Sequence, residues 1–149
     1  MQLERKQDLS IYYWLKDLFS AAPFITIKDG FPDVALSIPT VAVESDSIYT
    51  KPFELGNRAR LKYREFYIDV FAADKSQRDE YAYKIINELE DNIPVYNYDE
   101  GFPESVTPTQ IGALEVDSIT MRVVRILPEL TEKMYYRSVV QFSAVYNEH

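Results

Sequence analysis

The fold is decided by residues 38–73, which read IPTVAVESDSIYTKPFELGNRARLKYREFYIDVFAA. The two ends of this stretch, 38–49 and 60–73, are rich in β-branched and aromatic residues, which favour extended strands. The short region between them, 52–57, contains the proline and the glycine that are typical of a turn. The pattern therefore predicts a long antiparallel β-hairpin.

A pairing centred near Glu54 gives this hairpin a definite register, because side chains alternate between the two faces of a strand. In that register Glu44 faces Arg64. Asp46 faces Lys62 in the same way, and opposite charges across a strand pair stabilise the pairing. The base of the same face is apolar, with the pairs Ala42–Phe66, Thr40–Ile68 and Ile38–Val70. We expect the base to lie on the core and the charged tip to project past it, which indicates contact with another chain.

Two amphipathic helices flank the hairpin. Apolar residues recur at helical spacing over 7–21 and over 76–92, with charged residues on the opposite side, and a proline follows each segment. The second helix begins with Ser76 and Asp79, a pair that resembles a capping box. Each helix is therefore predicted to bury one stripe against the sheet.

The remaining elements complete the fold class. A short strand is expected over 24–28, and two strand-like runs at 113–127 and 134–146 predict a second hairpin. An irregular segment over 96–112 precedes that hairpin. This order lacks βαβ regularity, so residues 1–149 are predicted to form a single α+β domain with a mostly antiparallel sheet, a long projecting β-hairpin and two flanking helices.

Composition restricts the function further. The chain of 149 residues has a net charge of −8, 12 Tyr and no Cys. The negative charge argues against tight binding to nucleic acid, since such binding needs Lys and Arg to neutralise phosphates. Without a signal core or an apolar run of about 18 residues, we expect a soluble protein that does not enter a membrane. The tyrosines fit either contact with partners or a Tyr-rich sheet.

Groups that carry catalysis are scarce. The only histidine is His149, the last residue, so a histidine base and a multi-histidine metal site both lack their central group. A metal-dependent nuclease site needs several carboxylates, and the candidates are Asp33, Glu44, Asp46 and Asp69. Cross-strand charge pairing explains two of these four carboxylates. We therefore expect no enzyme, and no catalytic, metal-binding or cofactor-binding residues.

A basic stripe lies in the second strand of the first hairpin. Its members alternate along the strand and so share one face: Arg58, Arg60, Lys62 and Arg64. Two explanations stay open for them. They pair with carboxylates inside the hairpin, or they bind an acidic partner, which is either a neighbouring protein or a phosphate backbone.

The order of these elements is similar to that of a known family. An amphipathic helix leads into a long hairpin, whose return strand REFYIDVFAAD (64–74) is followed at once by the helix SQRDEYAYKIINELE (76–90). An irregular acidic loop and a final pair of long strands come next. Over roughly residues 8–147 this layout resembles the tail-terminator proteins of tailed phages and the related neck, head–tail joining and tail-completion subunits.

The resemblance implies a structural subunit of the virion, made in the host cytoplasm and assembled into a ring of about six copies. Such a ring ends tail-tube growth and joins the tail to the head connector. Its partners would be further copies of the chain, the tail tube protein and a connector or adaptor protein, while DNA passes through without specific binding. A tail tube, baseplate or connector-adaptor subunit is the alternative, and a carboxylate- or metal-dependent hydrolase is a remote one.

Assembly contacts are expected in two loops, 47–60 and 96–108. Aromatic residues often dominate the binding energy of protein interfaces, and basic residues suit an acidic neighbour. The candidate interface residues are Tyr49, Lys51, Phe53, Arg58, Arg60, Tyr96, Tyr98 and Phe102.

Overall fold

A computed structural model describes residues 1–31, 37–52, 60–124 and 136–148, with no side chains described at 51, 52, 60 and 61. The elements are α1 (Leu3–Leu18), β1 (Thr26–Asp29), β2 (Thr40–Pro52), β3 (Arg60–Ala72), α2 (Lys75–Leu89), β4 (Ile93–Asn97), β5 (Thr109–Val124) and β6 (Tyr136–Glu148). The strands form one sheet in the order β1-β2-β3-β6-β5-β4. Only β1 and β2 are parallel neighbours, and the other pairs among the described strands are antiparallel. The predicted α+β class with a mostly antiparallel sheet is confirmed.

The core lies between the two helices and one face of the sheet. Alternate residues of the central strands point into it, such as Ile68 in β3 and Val140 in β6. Leu15 of α1 and Ile85 of α2 belong to the same cluster, and all four side chains are fully buried. Burying one such side chain stabilises the fold by roughly 1.5–3 kcal/mol. Neither helix of the described residues is long and apolar enough to cross a membrane.

The register of the first hairpin differs from the predicted one. Val41 and Val43 of β2 face the core opposite apolar residues of β3, where the predicted register places Thr40 and Ala42. Burial of a valine side chain removes more apolar surface from water than burial of threonine or alanine, and so stabilises the fold more. A slip by an odd number of residues exchanges the two faces of a strand, so the buried valines select this register.

The predicted ion pairs across the hairpin are therefore wrong. Glu44 does not face Arg64 but lies opposite Tyr67. Asp46 does not face Lys62 either, because it falls within an irregularity of the pairing that separates Ser45 from Ile48. The tip of the hairpin lies outside the described residues, and its projection past the core stays a prediction.

The basic residues of β3 find their partners on α1 instead. Arg64 is only 4% exposed, and its Nη1 donates to Gln7 Oε1 and to the carbonyl oxygen of Glu4, both at 3.0 Å. The same nitrogen lies 2.9 Å from the carboxylate of Asp8. Lys62 Nζ donates to Glu4 Oε1 at 2.9 Å. The inner half of the basic stripe is thus neutralised by the first turns of α1, and not by the opposite strand.

Both helices begin earlier than predicted. α1 starts at Leu3, and α2 follows Asp74, whose carboxylate accepts a hydrogen bond from Gln77 N at 2.8 Å. The side-chain oxygen of Gln77 accepts in turn from Ala73 N at 2.8 Å. These reciprocal bonds satisfy free amides at the start of the helix, as a capping box does. The predicted start at Ser76 is one residue too late, and the capping residue is Asp74, two residues before Ser76.

The sequence pattern does not predict β4, which lies where we expect the helix end and an irregular segment. Pro94 ends the helical pattern, but proline is tolerated in a strand at the edge of a sheet. β4 is such an edge strand, and it buries Ile93 and Val95 in the core. The second hairpin is confirmed, because β5 and β6 pair antiparallel over most of their length.

Candidate functional site

The segment after β4 forms a loop with a defined shape, which we call the acidic loop and define as residues 98–108. Gly101 N donates to the carbonyl of Tyr98 at 3.2 Å, and Val106 N donates to that of Phe102 at 3.0 Å. Gly101 has a φ of 141°, which residues with a side chain rarely adopt. A Cβ there would lie 3.1 Å from Val106 Cγ2. The loop therefore folds back on itself around one glycine.

A cleft of about 310 Å³ lies between the acidic loop, α1 and β4. We call it the aromatic cleft and define it by its lining residues: Ser10, Tyr13, Trp14, Asp17, Pro94, Tyr96, Tyr98, Pro103, Thr107 and Pro108. Seven of these ten are aromatic residues or prolines, and none of the ten is basic. Rigid rings provide a large contact area at a small entropic cost, so this lining suits a segment of another chain.

Ser10 links β4 to α1 in the lining of the aromatic cleft. Its hydroxyl donates to the carbonyl of Lys6 at 2.7 Å and accepts from Tyr96 N at 3.1 Å. The Tyr98 hydroxyl lies 3.4 Å from the same oxygen. Ser10 is 2% exposed, and a buried amide without a partner costs about 1–3 kcal/mol. The serine therefore satisfies an edge-strand amide.

Stacked rings continue from α1 into the acidic loop. The ring of Tyr13 lies 5.6 Å from that of Tyr98 and 6.5 Å from that of Phe102, and the last two rings are 6.1 Å apart. The Tyr13 hydroxyl donates to Glu104 Oε2 at 3.3 Å. Burial, followed by the nearby Glu104 carboxylate, raises the pKa of Tyr13 to about 12. Tyr13 therefore stays protonated and keeps donating at any physiological pH.

Carboxylates surround this aromatic surface. Asp17 is exposed on the α1 wall of the cleft, and Glu104 has a side chain that is 60% exposed, 3.9 Å from Lys16. Asp99 accepts from Lys6 Nζ at 2.9 Å, and this bond with the nearby N-terminal ammonium holds its pKa below the usual range. Asp17 and Glu104 are therefore exposed on the rim of the cleft, where Lys16 offsets part of the charge of Glu104, while Asp99 is neutralised by Lys6 and the N-terminal ammonium.

The structure brings three of the candidate interface residues together. Tyr96 is partly buried and Tyr98 is 3% exposed, and both line the aromatic cleft. Phe102 stands beside them and is 43% exposed. Tyr98 is thus part of the floor and is less accessible than the surface contact that the loop pattern suggests. Tyr49 does not line the cleft, and its ring stacks on that of Tyr63 at 5.2 Å.

The other candidate interface residues belong to the hairpin tip. Phe53 and Arg58 lie outside the described residues, and the side chains of Lys51 and Arg60 are not described either. Their assignment to an interface stays a prediction.

The helical pattern assigns Trp14 to the core, and Trp14 does pack against it, but the pattern does not show that α1 also forms a wall of the cleft. Trp14 is partly buried and lines the cleft together with Tyr13. One signal could have revealed this wall. Tyr12, Tyr13 and Trp14 are consecutive, and successive residues of an α-helix point about 100° apart, so three of them cannot all face the core.

A second, smaller cavity of about 200 Å³ lies near the start of α1 and includes Asp8, Asp29 and Glu44 in its lining. Each carboxylate already has a partner. Asp29 accepts from Arg5 at 2.6 Å, Glu44 accepts from the backbone amide of Phe31, and Asp8 lies beside the buried arginine of β3. These internal pairings account for the polar lining.

Within the part of the chain that the structure describes, no three His, Cys, Asp or Glu side chains are grouped to hold a metal ion. Asp69, one of the carboxylates considered for a nuclease site, accepts from Arg137 at 2.6 Å. Asp33 lies outside the described residues. Comparison with protein-family models and with curated proteins finds no match to this chain. Its function must therefore be inferred from the fold and from the aromatic cleft.

Proposed function

We propose that this chain is a structural virion subunit that forms a ring at the head-proximal end of a phage tail. The ring would end the growth of the tail tube and join the tail to the head connector or adaptor protein. The α+β fold with its mostly antiparallel sheet is compatible with the family that the element order resembles. The aromatic cleft is the observation that carries the proposal.

The cleft has the composition of a protein–protein contact. Tyr and Trp are enriched at the centres of interfaces, where each anchors a pocket or ridge of the partner. Trp14 and Tyr96 are accessible in part, and Phe102 is 43% exposed at the same place. A subunit that acts by assembly needs such a surface.

Ring closure adds a geometric requirement. Subunits in a ring meet through two different surfaces, one on each side, and the contact repeats until it closes. In the proposed ring, the aromatic cleft forms one of these surfaces. The first hairpin, with its basic and aromatic residues, forms the other. The net charge of −8 suits a channel through which DNA passes without specific binding, since phosphates are repelled by carboxylates.

The mass of the purified protein in solution tests this proposal. Native mass spectrometry at rising protein concentration, with negative-stain images of the same sample, should show a closed ring of about six copies. Filaments of unlimited length would favour a tail tube subunit instead. A protein that stays monomeric at the highest attainable concentration would contradict the ring proposal.

A further inference from the structure

We infer that the aromatic cleft of one copy receives the tip of the first hairpin of a second copy, the segment KPFELGNRAR at residues 51–60. The chain would then assemble head to tail. This inference rests on the proposed ring and names the contact that closes it.

The cleft itself restricts what can bind. Its seven rings favour an occupant with aromatic or proline side chains, which pack flat against Tyr and Trp faces. Asp17 lines it and Glu104 stands beside it, and both carboxylates are exposed. A cation among aromatic faces gains both cation–π attraction and a nearby counter-charge. The fitting occupant is therefore a short segment that combines rings with basic residues.

Residues 51–60 have this composition. They contain Pro52 and Phe53 together with three basic residues and one glutamate, which gives a net charge of +2 in a chain of net charge −8. The acidic loop contains no basic residue, and besides Asp99, which Lys6 neutralises, it carries the carboxylates of Glu100 and Glu104. Opposite charge on two segments of one acidic chain favours contact between them and directs which surfaces meet.

The positions of the two surfaces favour contact between copies over contact within one copy. Along β3, Lys62 pairs with Glu4 in the first turn of α1, and the strand continues from there toward the tip. The cleft begins at Ser10 and reaches Asp17 on the same helix. Trp14 lies ten residues, or about 15 Å, beyond Glu4 along the helix axis. The described end of β3 thus meets the first turn of α1, whereas the cleft is lined by the second half of that helix, and such separate surfaces suit a head-to-tail contact.

A charge-exchange experiment tests the contact. The cleft variant carries Asp17→Arg and Glu104→Arg, and the tip variant carries Arg58→Glu and Arg60→Glu. Each alone should weaken ring formation by at least about 100-fold, because like charges then meet across the contact. A chain with all four substitutions should form rings within about tenfold of the original affinity, since the charges are complementary again.

A matched control reverses two exposed carboxylates outside the cleft, Glu88→Arg and Asp91→Arg. It changes the net charge by the same amount and should leave assembly unaltered. Circular dichroism and melting curves verify that every variant folds. If both the cleft and the tip variant form rings normally, the hairpin contact is overturned while the ring proposal stands. If both fail and the four-fold variant fails as well, the two surfaces are not each other's partners.

A second measurement decides the inference if the original protein forms no ring, which would contradict the proposed function by itself. Trp14 is the single tryptophan of the chain and lines the cleft, so its fluorescence reports on binding. A peptide of residues 49–62 should change this signal saturably, with a Kd below about 1 mM. The same peptide with Arg58→Glu and Arg60→Glu should bind at least tenfold more weakly.

The absence of any signal at several millimolar peptide would overturn the inference. A proline-rich basic peptide of unrelated sequence serves as the specificity control. Binding of that peptide as tightly as the 49–62 peptide would assign the cleft to a different protein partner, and would also overturn the contact between copies.

Discussion

Replacing the buried Arg64 by methionine tests how the first hairpin is attached to α1. Methionine keeps an apolar stem against Phe66, whose ring lies 4.8 Å from the guanidinium carbon, so the packing is largely retained. The substitution removes the donors to Gln7 Oε1 and to the Glu4 carbonyl, both 3.0 Å away. It also leaves the carboxylate of Asp8 without its counter-charge.

The magnitude follows from these contacts. Each hydrogen bond from a charged donor contributes roughly 1.5–3 kcal/mol, and two are lost. Because Arg64 is only 4% exposed, water cannot readily replace it. Taking the lower value for both bonds, we expect Arg64→Met to lower the free energy of unfolding by about 3 kcal/mol. In a chain of this length that corresponds to about 6–12 °C in the melting temperature.

Removing the charge of Asp8, the partner of Arg64, should lower the free energy of unfolding by less. Burial raises the pKa of Asp8 even though Arg64 lies beside it, because the charged form loses hydration. The folded state therefore holds the Asp8 proton more tightly than the unfolded state, and this group alone lowers stability as pH rises from about 4. Asp8→Asn removes that contribution and keeps an oxygen beside Arg64. The amide oxygen still accepts from Arg64 but no longer supplies a counter-charge to this buried guanidinium, so we expect a loss of about 1–2 kcal/mol, smaller than that of Arg64→Met.

Urea unfolding followed by Trp14 fluorescence measures both variants, with the slope of the transition compared to verify two-state behaviour. Lys62→Met is the control, because the pair with Glu4 has a lysine side chain that is 53% exposed and should contribute less than about 1 kcal/mol. A loss below about 1 kcal/mol for Arg64→Met would refute the reasoning. A loss for Asp8→Asn that exceeds the loss for Arg64→Met would refute it as well.

Three further predictions concern other contacts. Ser10→Ala leaves the Tyr96 amide without its acceptor and should cost about 1–3 kcal/mol in urea unfolding, and an unchanged midpoint would mean that water replaces the hydroxyl. Gly112→Ala places a Cβ 2.5 Å from a backbone carbonyl of β6 and should also cost about 1–3 kcal/mol by the same measurement, unless β5 can move away. Since the pKa of Asp99 is lowered in the fold, its stabilisation is present above about pH 4 and is lost as pH falls through the lowered pKa. Melting curves from pH 6 to 2 should show a smaller acid-side loss for Asp99→Asn, and identical profiles would contradict the ion pair.

The strands were predictable where local composition and burial agree. β-branched and aromatic residues place β2 and β3 nearly correctly, but they do not fix the register. Either Val41 and Val43 or Thr40 and Ala42 can occupy the core face of β2. An apparent ion pair between Glu44 and a basic residue of β3 favours the register with Thr40 and Ala42, which is not the observed one. Apolar burial outweighs a cross-strand ion pair near the surface, which contributes about 0.2–1 kcal/mol.

The aromatic cleft depends on contacts that are distant in the sequence. Ser10 and Tyr96 are 86 positions apart, and no local pattern indicates that one satisfies the other. The loop residues Tyr98 and Phe102 are recognisable as candidates because a tyrosine and phenylalanine in an acidic loop are unusual. Helical periodicity does not single out their counterparts on α1, because Trp14 packs against the core as the pattern predicts and lines the cleft as well.

The two edges of the sheet affect how the protein can aggregate. β1 contributes only four residues at one edge. At the other, β4 has five, includes Pro94, and donates one amide to a helix side chain. Within the described residues, β1 pairs only with Thr40–Val43 of the 13-residue β2, and β4 pairs only with residues 109–114 of the 16-residue β5, so both long strands extend past their outer neighbours. Backbone groups along such an extension can pair with a further strand, so unwanted association through the sheet is expected first at the far ends of β2 and β5.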